Sequence, residues 1–324
     1  MISVSVLVPT FQRCSSVRRL LEALTRQTLP PSTFEVVVAV DGSTDGTQRM
    51  LDAFHAEYRL RWSWQAHRGR AAACNEAIRL AEGALVVLLD DDMEPAPGLL
   101  AAHVREHPAG SRRCVMGAVP IAARPTDASH ARYAARKFNE HLERLAEPAH
   151  RFVLRDFYSG NTSVARDALL AVGLYDEDFR LYGNEDLELA HRLVRNGIEL
   201  RYSPQARATQ HYEKSLQSLV RDEIEKGRTA MLLVAKHPET EEHLKLEALR
   251  RRPAPERALR RLAVLATRRW DGAGHVVAAM LAAFARIPVP GSNRMYRIAL
   301  DFCYMLGVER AAKKARPAAR RAVT

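Results

Sequence analysis

Ala84-Leu85-Val86-Val87-Leu88-Leu89-Asp90-Asp91-Asp92 is the stretch on which the reading of this chain turns. Six apolar residues run without interruption, with β-branched Val86 and Val87 at their centre. Such a run is typical of a strand buried on both faces of a parallel sheet. It passes directly into three carboxylates, which are costly side by side unless something cationic neutralises them. Oxygen ligands at this density suit Mg²⁺ or Mn²⁺. Alternate residues of an extended segment share a face, so Asp90 and Asp92 are expected to point together and Asp91 elsewhere. A solvated acidic loop is the plainer reading, and the position at a strand's carboxyl end weighs against it.

The same pattern recurs on either side. Ile2 to Val8 alternates and is rich in β-branched residues, so it reads as a strand ended by Pro9-Thr10. Ser15 to Gln27 places Val17, Leu20, Leu21 and Leu24 on one helical face, and Phe34 to Val40 is a second buried strand. Asp41 to Gly46 is a turn capping a helix that runs to about Glu57. Leu60 to Ala66 is a weaker strand, Arg70 to Glu82 a helix closed by Gly83, Pro97 to His107 a helix, and Cys114 to Val119 a strand. Strand and helix thus alternate with short loops, which predicts an open, mostly parallel, Rossmann-like α/β sheet with helices on both faces. Ligands of such sheets bind beyond the carboxyl ends of the strands. Pro9 to Arg13, Asp41 to Asp45 and Asp90 to Asp92 fall there and are expected to converge.

After Pro120 the pattern changes. Thr126 to Leu145 and Ser215 to Lys236 read as helices, Phe157 to Ala165 and Glu199 to Tyr202 as strands, and Asn184 to Arg195 as a helix closed by Asn196-Gly197. The expected division is a domain over 1–249, with halves 1–119 and 120–249, and a basic helical extension over 250–324.

Charge supports that division. The 324 residues carry a formal net charge of +11. Arg250 to Thr324 holds 17 Lys or Arg against 4 Asp or Glu, so the whole excess lies in the last quarter. In that quarter Arg257, Arg260, Arg261, Arg268 and Arg269 interleave with Leu259, Leu262, Val264 and Leu265. Basic amphipathic helices suit an anionic membrane surface; packing on the preceding domain is the plainer alternative, and nucleic acid is not expected. The segment from Ala311 onward is low in complexity and reads as disordered. Cys14, Cys74, Cys114 and Cys303 form no C-x-x-C pair, which argues against a zinc site or a disulfide framework and for a reducing compartment. Ile2 to Val8 lacks the basic leader and length of a signal peptide. No apolar run reaches membrane-spanning length; the nearest, Val276 to Ala285, stops at Arg286 and Pro288. The expected location is cytoplasmic, peripheral on the inner face of the cell membrane.

The ordered set Val8-Pro9-Thr10-Phe11, Val40-Asp41-Gly42-Ser43-Thr44-Asp45-Gly46-Thr47 and Leu89-Asp90-Asp91-Asp92 resembles glycosyltransferase family 2. The resemblance continues through Gly160-Asn161-Thr162-Ser163 and Val172-Gly173-Leu174-Tyr175-Asp176 to Gly183-Asn184-Glu185-Asp186-Leu187-Glu188-Leu189. It covers about residues 2 to 213. It implies the GT-A fold and transfer of a sugar from a nucleotide-diphosphate donor, UDP first, to a saccharide or lipid-linked acceptor. By the same resemblance Asp41 contacts the base, with Pro9, Thr10 and Arg13 beside it. Arg68, Gly69 and Asn75 correspond to the segment closing over the nucleotide, which Asp90 and Asp91 also border. Asp90 and Asp92 form the D-x-D motif for Mn²⁺ or Mg²⁺, with His211 as a third ligand.

The resemblance makes Asp186 the general base, a carboxylate able to take the acceptor's proton as it attacks, and Glu185 its orienting neighbour. Asn161 and Tyr182 are assigned to sugar and acceptor. Plainer readings stand beside these: Asp41 a helix cap, Asp45 a turn residue, Glu185 and Asp186 complements of a helix dipole, His211 a surface side chain. His67 and His191 read as structural. A sugar nucleotidyltransferase and a non-catalytic nucleotide-sugar-binding protein are the rival classes. The first lacks its glycine-rich loop at Pro9 to Arg13, and the second predicts loss of acidic pairs that are present.

Overall fold

The computed structural model describes residues 2–124, 126–251, 253–267, 270, 272–284 and 292–321. Arg268, Arg269, Arg286 and Pro288 lie outside the described residues, as do the side chains of Leu259 and Arg260. Two compact units are present: Met1–Ala123 with Ala135–Arg180 and Glu185–Tyr212, and Arg124–Ala134 with Leu181–Asn184 and Glu213–Thr324.

The first unit begins β1 (Val4–Thr10), α1 (Cys14–Leu24), β2 (Phe34–Asp41), α2 (Thr47–Asp52), β3 (Arg59–Gln65), α3 (Arg70–Leu80) and β4 (Leu85–Leu89). β5 (Met93–Pro95), α4 (Leu99–Arg105) and β6 (Arg113–Gly117) come next. After α5 (Ser129–Leu145) come β7 (Asn161–Ala165), α6 (Arg166–Ala171), α7 (Glu185–Arg195), β8 (Glu199–Ser203) and β9 (Ala208–Gln210). Seven strands form one sheet in the order β3-β2-β1-β4-β7-β6-β8, and β5 pairs with β9 in a separate ribbon. β3, β2, β1 and β4 are mutually parallel, as are β6 and β8, while β7 is antiparallel to both its neighbours. The mostly parallel sheet flanked by helices is the expected fold class.

Strand alternation builds the two faces. Val4, Val6, Val8, Val36, Val38, Val40, Val87 and Leu89 point to one side and pack with Leu20, Leu21 and Leu24 of α1 and Leu99 and Leu100 of α4. Leu7, Val37, Ala39, Val86 and Leu88 point to the other, against Ala77 and Ile78 of α3 and Leu189 and Leu193 of α7. Full burial of each such side chain contributes roughly 1.5–3 kcal/mol, which is why unbroken apolar runs were readable as central strands.

Several element ends shift by one to five residues from the sequence reading, and three of the shifts have a clear cause or bear on the site. β1 continues through Pro9 to Thr10. Its pairing with β4 ends at Leu7, so beyond that point only β2 is alongside, and a residue without an N–H is tolerated there. α2 ends at Asp52 rather than Glu57. α7 starts at Glu185 because Asn184 adopts a left-handed φ of 67°.

The second unit holds α8 (Leu216–Lys236), α9 (Lys245–Arg250), α10 (Ala254–Thr267), α11 (Ala273–Phe284) and α12 (Ser292–Arg321). Ser215 caps α8 by accepting from the Ser218 N–H at 3.1 Å. Val220 and Ile224 of α8, Val264 of α10, Ala278 and Leu281 of α11, and Leu300, Cys303 and Leu306 of α12 form its core. α8 and α12 cross where Gly227 and Gly307 lie; a Cβ on either would run into the carbonyl of Tyr304 or Ile224 across the crossing. The low-complexity end, expected to be disordered from Ala311, is helical through Arg321. Among the described residues no helix is long and apolar enough to cross a membrane, and all four cysteines are free.

Candidate functional site

The first unit gathers its carboxylates where β1, β2 and β4 end. Asp90 to Met93 form a turn closed by the Met93 N–H on the Asp90 carbonyl at 3.2 Å, and the Asp90 N–H donates to the Gly160 carbonyl at 3.0 Å. Because the segment turns, strand alternation does not hold, and the expectation that Asp91 points away from Asp92 is corrected. Asp91 and Asp92 share one cation, with Arg13 Nη1 3.7 Å and 3.6 Å from their carboxylates. Thr10 Oγ1 donates to Asp91 at 2.8 Å, and Gln210 Nε2 to Asp92 at 3.1 Å.

Asp90 instead meets Arg70 Nη2 at 2.6 Å. The other arm of Arg70 lies 3.5 Å from Glu185, the first residue of α7. Arg70 therefore ties the acidic turn to the acidic helix start. Sequence reading saw Arg70 only as the opening of a helix; its place beside Arg68-Gly69 was the one available signal.

Burial dominates the electrostatics. The Asp91 carboxyl is pushed up to about 7 by burial; Arg13 pulls it down, Asp92 pushes it up again, and the Thr10 hydroxyl opposes. The Glu185 carboxyl is raised by burial and then by Asp186, with Arg70 opposing. Glu185 Oε2 is buried and has no hydrogen-bond partner among the described residues. A buried acceptor without a donor is costly, and a bound donor group would relieve it. Asp186 is half-buried, one oxygen accepting from the Leu187 N–H at 2.8 Å. The bland helix-dipole role and a chemical role are compatible, since Asp186 and Glu185 both sit in the first turn.

The turn suits a divalent cation by the chemistry of its donors, hard carboxylate oxygens, and a bound cation would oppose the burial that pushes Asp91 up to about 7. His211 donates its N–H to the Asp92 carbonyl at 2.9 Å, so its backbone is next to the turn. Its ring, however, engages Glu94 at 2.7 Å. Glu94 was missed because its proximity depends on the antiparallel β5–β9 pairing, which aligns Glu94 with Thr209.

Asp41 organises the segment after β3. Its oxygens accept from the N–H groups of Arg68 and Gly69, both at 2.8 Å, and from Gln65 Nε2 at 2.7 Å. His67 Nδ1 lies 2.8 Å away and the His67 ring stacks on Phe11 with centroids 4.2 Å apart. Asp41 caps no helix. Asp45 reaches the first residues of two helices, accepting from the Thr47 N–H at 3.2 Å and the Cys14 N–H at 2.8 Å, and so ties the start of α2 to that of α1. Sequence reading took His67 as structural and the exposed Phe11 only as part of the first family motif. Together they offer a ring platform at the ends of β1 and β2. Pro9 is buried in β1. Arg68 pairs with Glu177, and Asn75 clamps Tyr175, accepting from its N–H at 2.8 Å and donating to its carbonyl at 2.9 Å. Asn75 therefore shapes the loop around Glu177 rather than facing a ligand.

The assignment of Asn161 to the sugar is corrected. Asn161 is 0% exposed. Its amide bonds His103 at 2.9 Å and the Ala206 carbonyl at 2.8 Å, which leaves it no face for a sugar. Tyr182 belongs to the second unit, where Lys214 Nζ lies 4.0 Å and Lys226 Nζ 5.3 Å from its ring centre.

Residues 5–172 match the pattern of glycosyl transferase family 2, and residues 141–215 that of the N-terminal domain of galactosyltransferase. The validoxylamine A glucosyltransferase of Streptomyces hygroscopicus subsp. limoneus is 32% identical over 225 residues, covering 61% of this chain and 49% of that protein. An uncharacterised glycosyltransferase of Bacillus subtilis, YfnE, is 26% identical over 248 residues, 61% of this chain and 62% of that one. The chain thus spans about half to three-fifths of the length of these curated relatives. Among solved structures, the mannosyltransferase of Pyrobaculum calidifontis in complex with GDP-Man and Mn²⁺ superposes with a TM-score of 0.63. It is 21% identical, over 95% of this chain and 86% of that one, a likeness of fold. TarS 1–349 of S. aureus in complex with UDP gives 0.53 at 17% identity, over 97% and 92%.

Proposed function

Because the chain belongs to glycosyl transferase family 2, we propose that it is an inverting glycosyltransferase, moving a sugar from a nucleoside-diphosphate donor to an acceptor hydroxyl. The buried, donor-less Oε2 of Glu185 carries this reading, since it stands in the first turn of α7, next to Asp186, and is linked through Arg70 to the acidic turn. A hydroxyl arriving there would satisfy Glu185. Asp186 then takes the proton as the acceptor attacks, a single displacement that inverts the anomeric carbon. Phe11 and His67 offer the base a stacking surface, and Asp41 fixes the Arg68-Gly69 backbone that borders it. Asp90 and Asp92, with His211, would hold Mn²⁺ or Mg²⁺, which neutralises charge on a leaving diphosphate. Arg13 adds fixed positive charge beside the same turn.

A UDP-sugar is the first donor to try, with a saccharide or lipid-linked component as acceptor. Similar folds have been solved with GDP-Man and with UDP, which supports the donor class. The nucleotidyltransferase alternative loses its basis, because the family match runs over the same residues that it would need.

The test is nucleotide release from UDP-, GDP- and dTDP-sugars with Mn²⁺ or EDTA, beside Asp92→Ala and Asp186→Asn. One donor should turn over slowly, and chelator and Asp92→Ala should each abolish turnover. Asp186→Asn should slow transfer by about 10²–10⁴-fold while donor binding persists. Near-normal transfer by Asp186→Asn would remove the base assignment, and binding of no nucleotide sugar would sink the whole reading.

A further inference from the structure

α11 is an unusual surface element for a water-soluble unit. Its twelve residues, Ala-Gly-His-Val-Val-Ala-Ala-Met-Leu-Ala-Ala-Phe, include no Asp, Glu, Lys or Arg. Ala273, Ala278 and Leu281 face the core of the second unit. His275, Val276, Ala279, Met280, Ala282 and Ala283 are exposed, and they are neighbours on the helical wheel, forming one continuous outward face. A helix apolar on both sides is ordinarily buried or in lipid. This one leaves Met280 55% and Val276 41% exposed.

The adjoining helices add charge to the same kind of surface. On α10, Arg257, Arg261 and Leu265 recur at i, i+4 and i+8, with Leu262 beside them, and all four are exposed. On α12, Arg294, Arg297 and Ile298 share a face by i, i+3 and i+4 spacing and are exposed. Trp270, between α10 and α11, is exposed as well. Aliphatic and guanidinium groups mixed on one face suit a surface with an apolar interior and an anionic skin, where Arg stems lie along hydrocarbon and their heads reach phosphates. At twelve residues α11 is about 18 Å long, too short to span a bilayer.

We propose that the second unit docks on an anionic lipid surface, with α11 lying in the headgroup layer through Val276 and Met280 and the arginines of α10 and α12 on lipid phosphates. The occupant is a lipid surface rather than a second copy of the chain because the helices before and after α11 in the chain both expose arginines, Arg257 and Arg261 on α10 and Arg294 and Arg297 on α12. A like-charged copy would bring those arginines against each other. The inference stands apart from the donor chemistry, so the two can fail separately.

The experiment is flotation of the full chain with phosphatidylcholine vesicles and with vesicles that also contain phosphatidylglycerol. Wild type should float with the second and not the first, and raised salt should weaken binding. Val276→Asp with Met280→Asp should lower the partition about tenfold or more, while Leu170→Asp, an exposed apolar site of the first unit, should not. Both substituted positions are exposed, so thermal unfolding should be unchanged, and nucleotide-sugar turnover without vesicles should match wild type. Binding equal to wild type in the double variant would overturn the proposal. So would absence of binding to anionic vesicles, or a dimer in light scattering that the double variant dissolves.

Discussion

Replacing Arg70 by alanine puts the largest electrostatic demand on the site. Arg70 is the ion-pair partner of both Asp90, at 2.6 Å, and Glu185, at 3.5 Å. Removing one member of a buried pair typically costs about 3–5 kcal/mol. Two features reduce that here: the Asp90 side chain is 33% exposed and partly screened, and the Glu185 contact is long. A loss of about 2–3 kcal/mol at neutral pH is the working figure. Its pH dependence comes from Glu185. Burial already raises that carboxyl in the folded chain above its ordinary value. The folded state then binds more protons than the unfolded one, so this group's contribution to stability declines as pH rises from the unfolded value toward the folded one. Without Arg70 the folded value rises further, the decline is longer, and the variant should lag wild type little at acid pH and most above neutrality. Urea unfolding monitored by circular dichroism at pH 5 and pH 8, in EDTA, reads both numbers. A variant within about 0.5 kcal/mol of wild type at both values, or one that lags more at acid pH, would refute the account of Arg70 as the shared counter-charge.

The same geometry sets two further outcomes. Mn²⁺ should raise the melting temperature more at pH 8 than at pH 5.5 in a thermal-shift assay, because burial pushes the Asp91 carboxyl up to about 7 and a proton held there competes with a cation; a shift independent of pH would contradict the metal fit. Asn161→Ala should destabilise by about 2 kcal/mol through its unmet buried partners, seen in urea unfolding; a variant of unchanged stability with a raised KM for donor would restore the sugar contact that burial argues against.

The parallel half of the fold was legible because burial on both faces leaves so plain a trace: runs such as Phe34 to Val40 have no other stable use. The convergence of Thr10, Asp41 and Asp90 was legible for the same reason, since strand ends in a parallel sheet gather at one edge. What escaped were relations set by tertiary register. Asp90 to Asp92 turn rather than extend, and nothing in three identical residues signals which way each points. Arg70 finds Asp90 and Glu185 only because α3, β4 and α7 share one face of the sheet. Glu94 finds His211 only through a three-residue antiparallel ribbon. Asn161 reads as a polar residue within the expected Phe157 to Ala165 strand, and only the structure brings His103 and the Ala206 carbonyl to satisfy it.

The reversed direction of β7 has a consequence for how this chain can change. A parallel strand carries its downstream residues to the end where Asp90 lies. β7 brings its upstream residues there instead, since Asn161 pairs with Leu89 and Gly160 accepts from the Asp90 N–H. The residues between α5 and β7 therefore enter at the chemical end, while the strand's own tail runs back to the far edge beside Leu85. Changes across 146–160 would therefore be felt first beside Asp90, and those at Leu154 or Phe157 would also reach the core of the sheet.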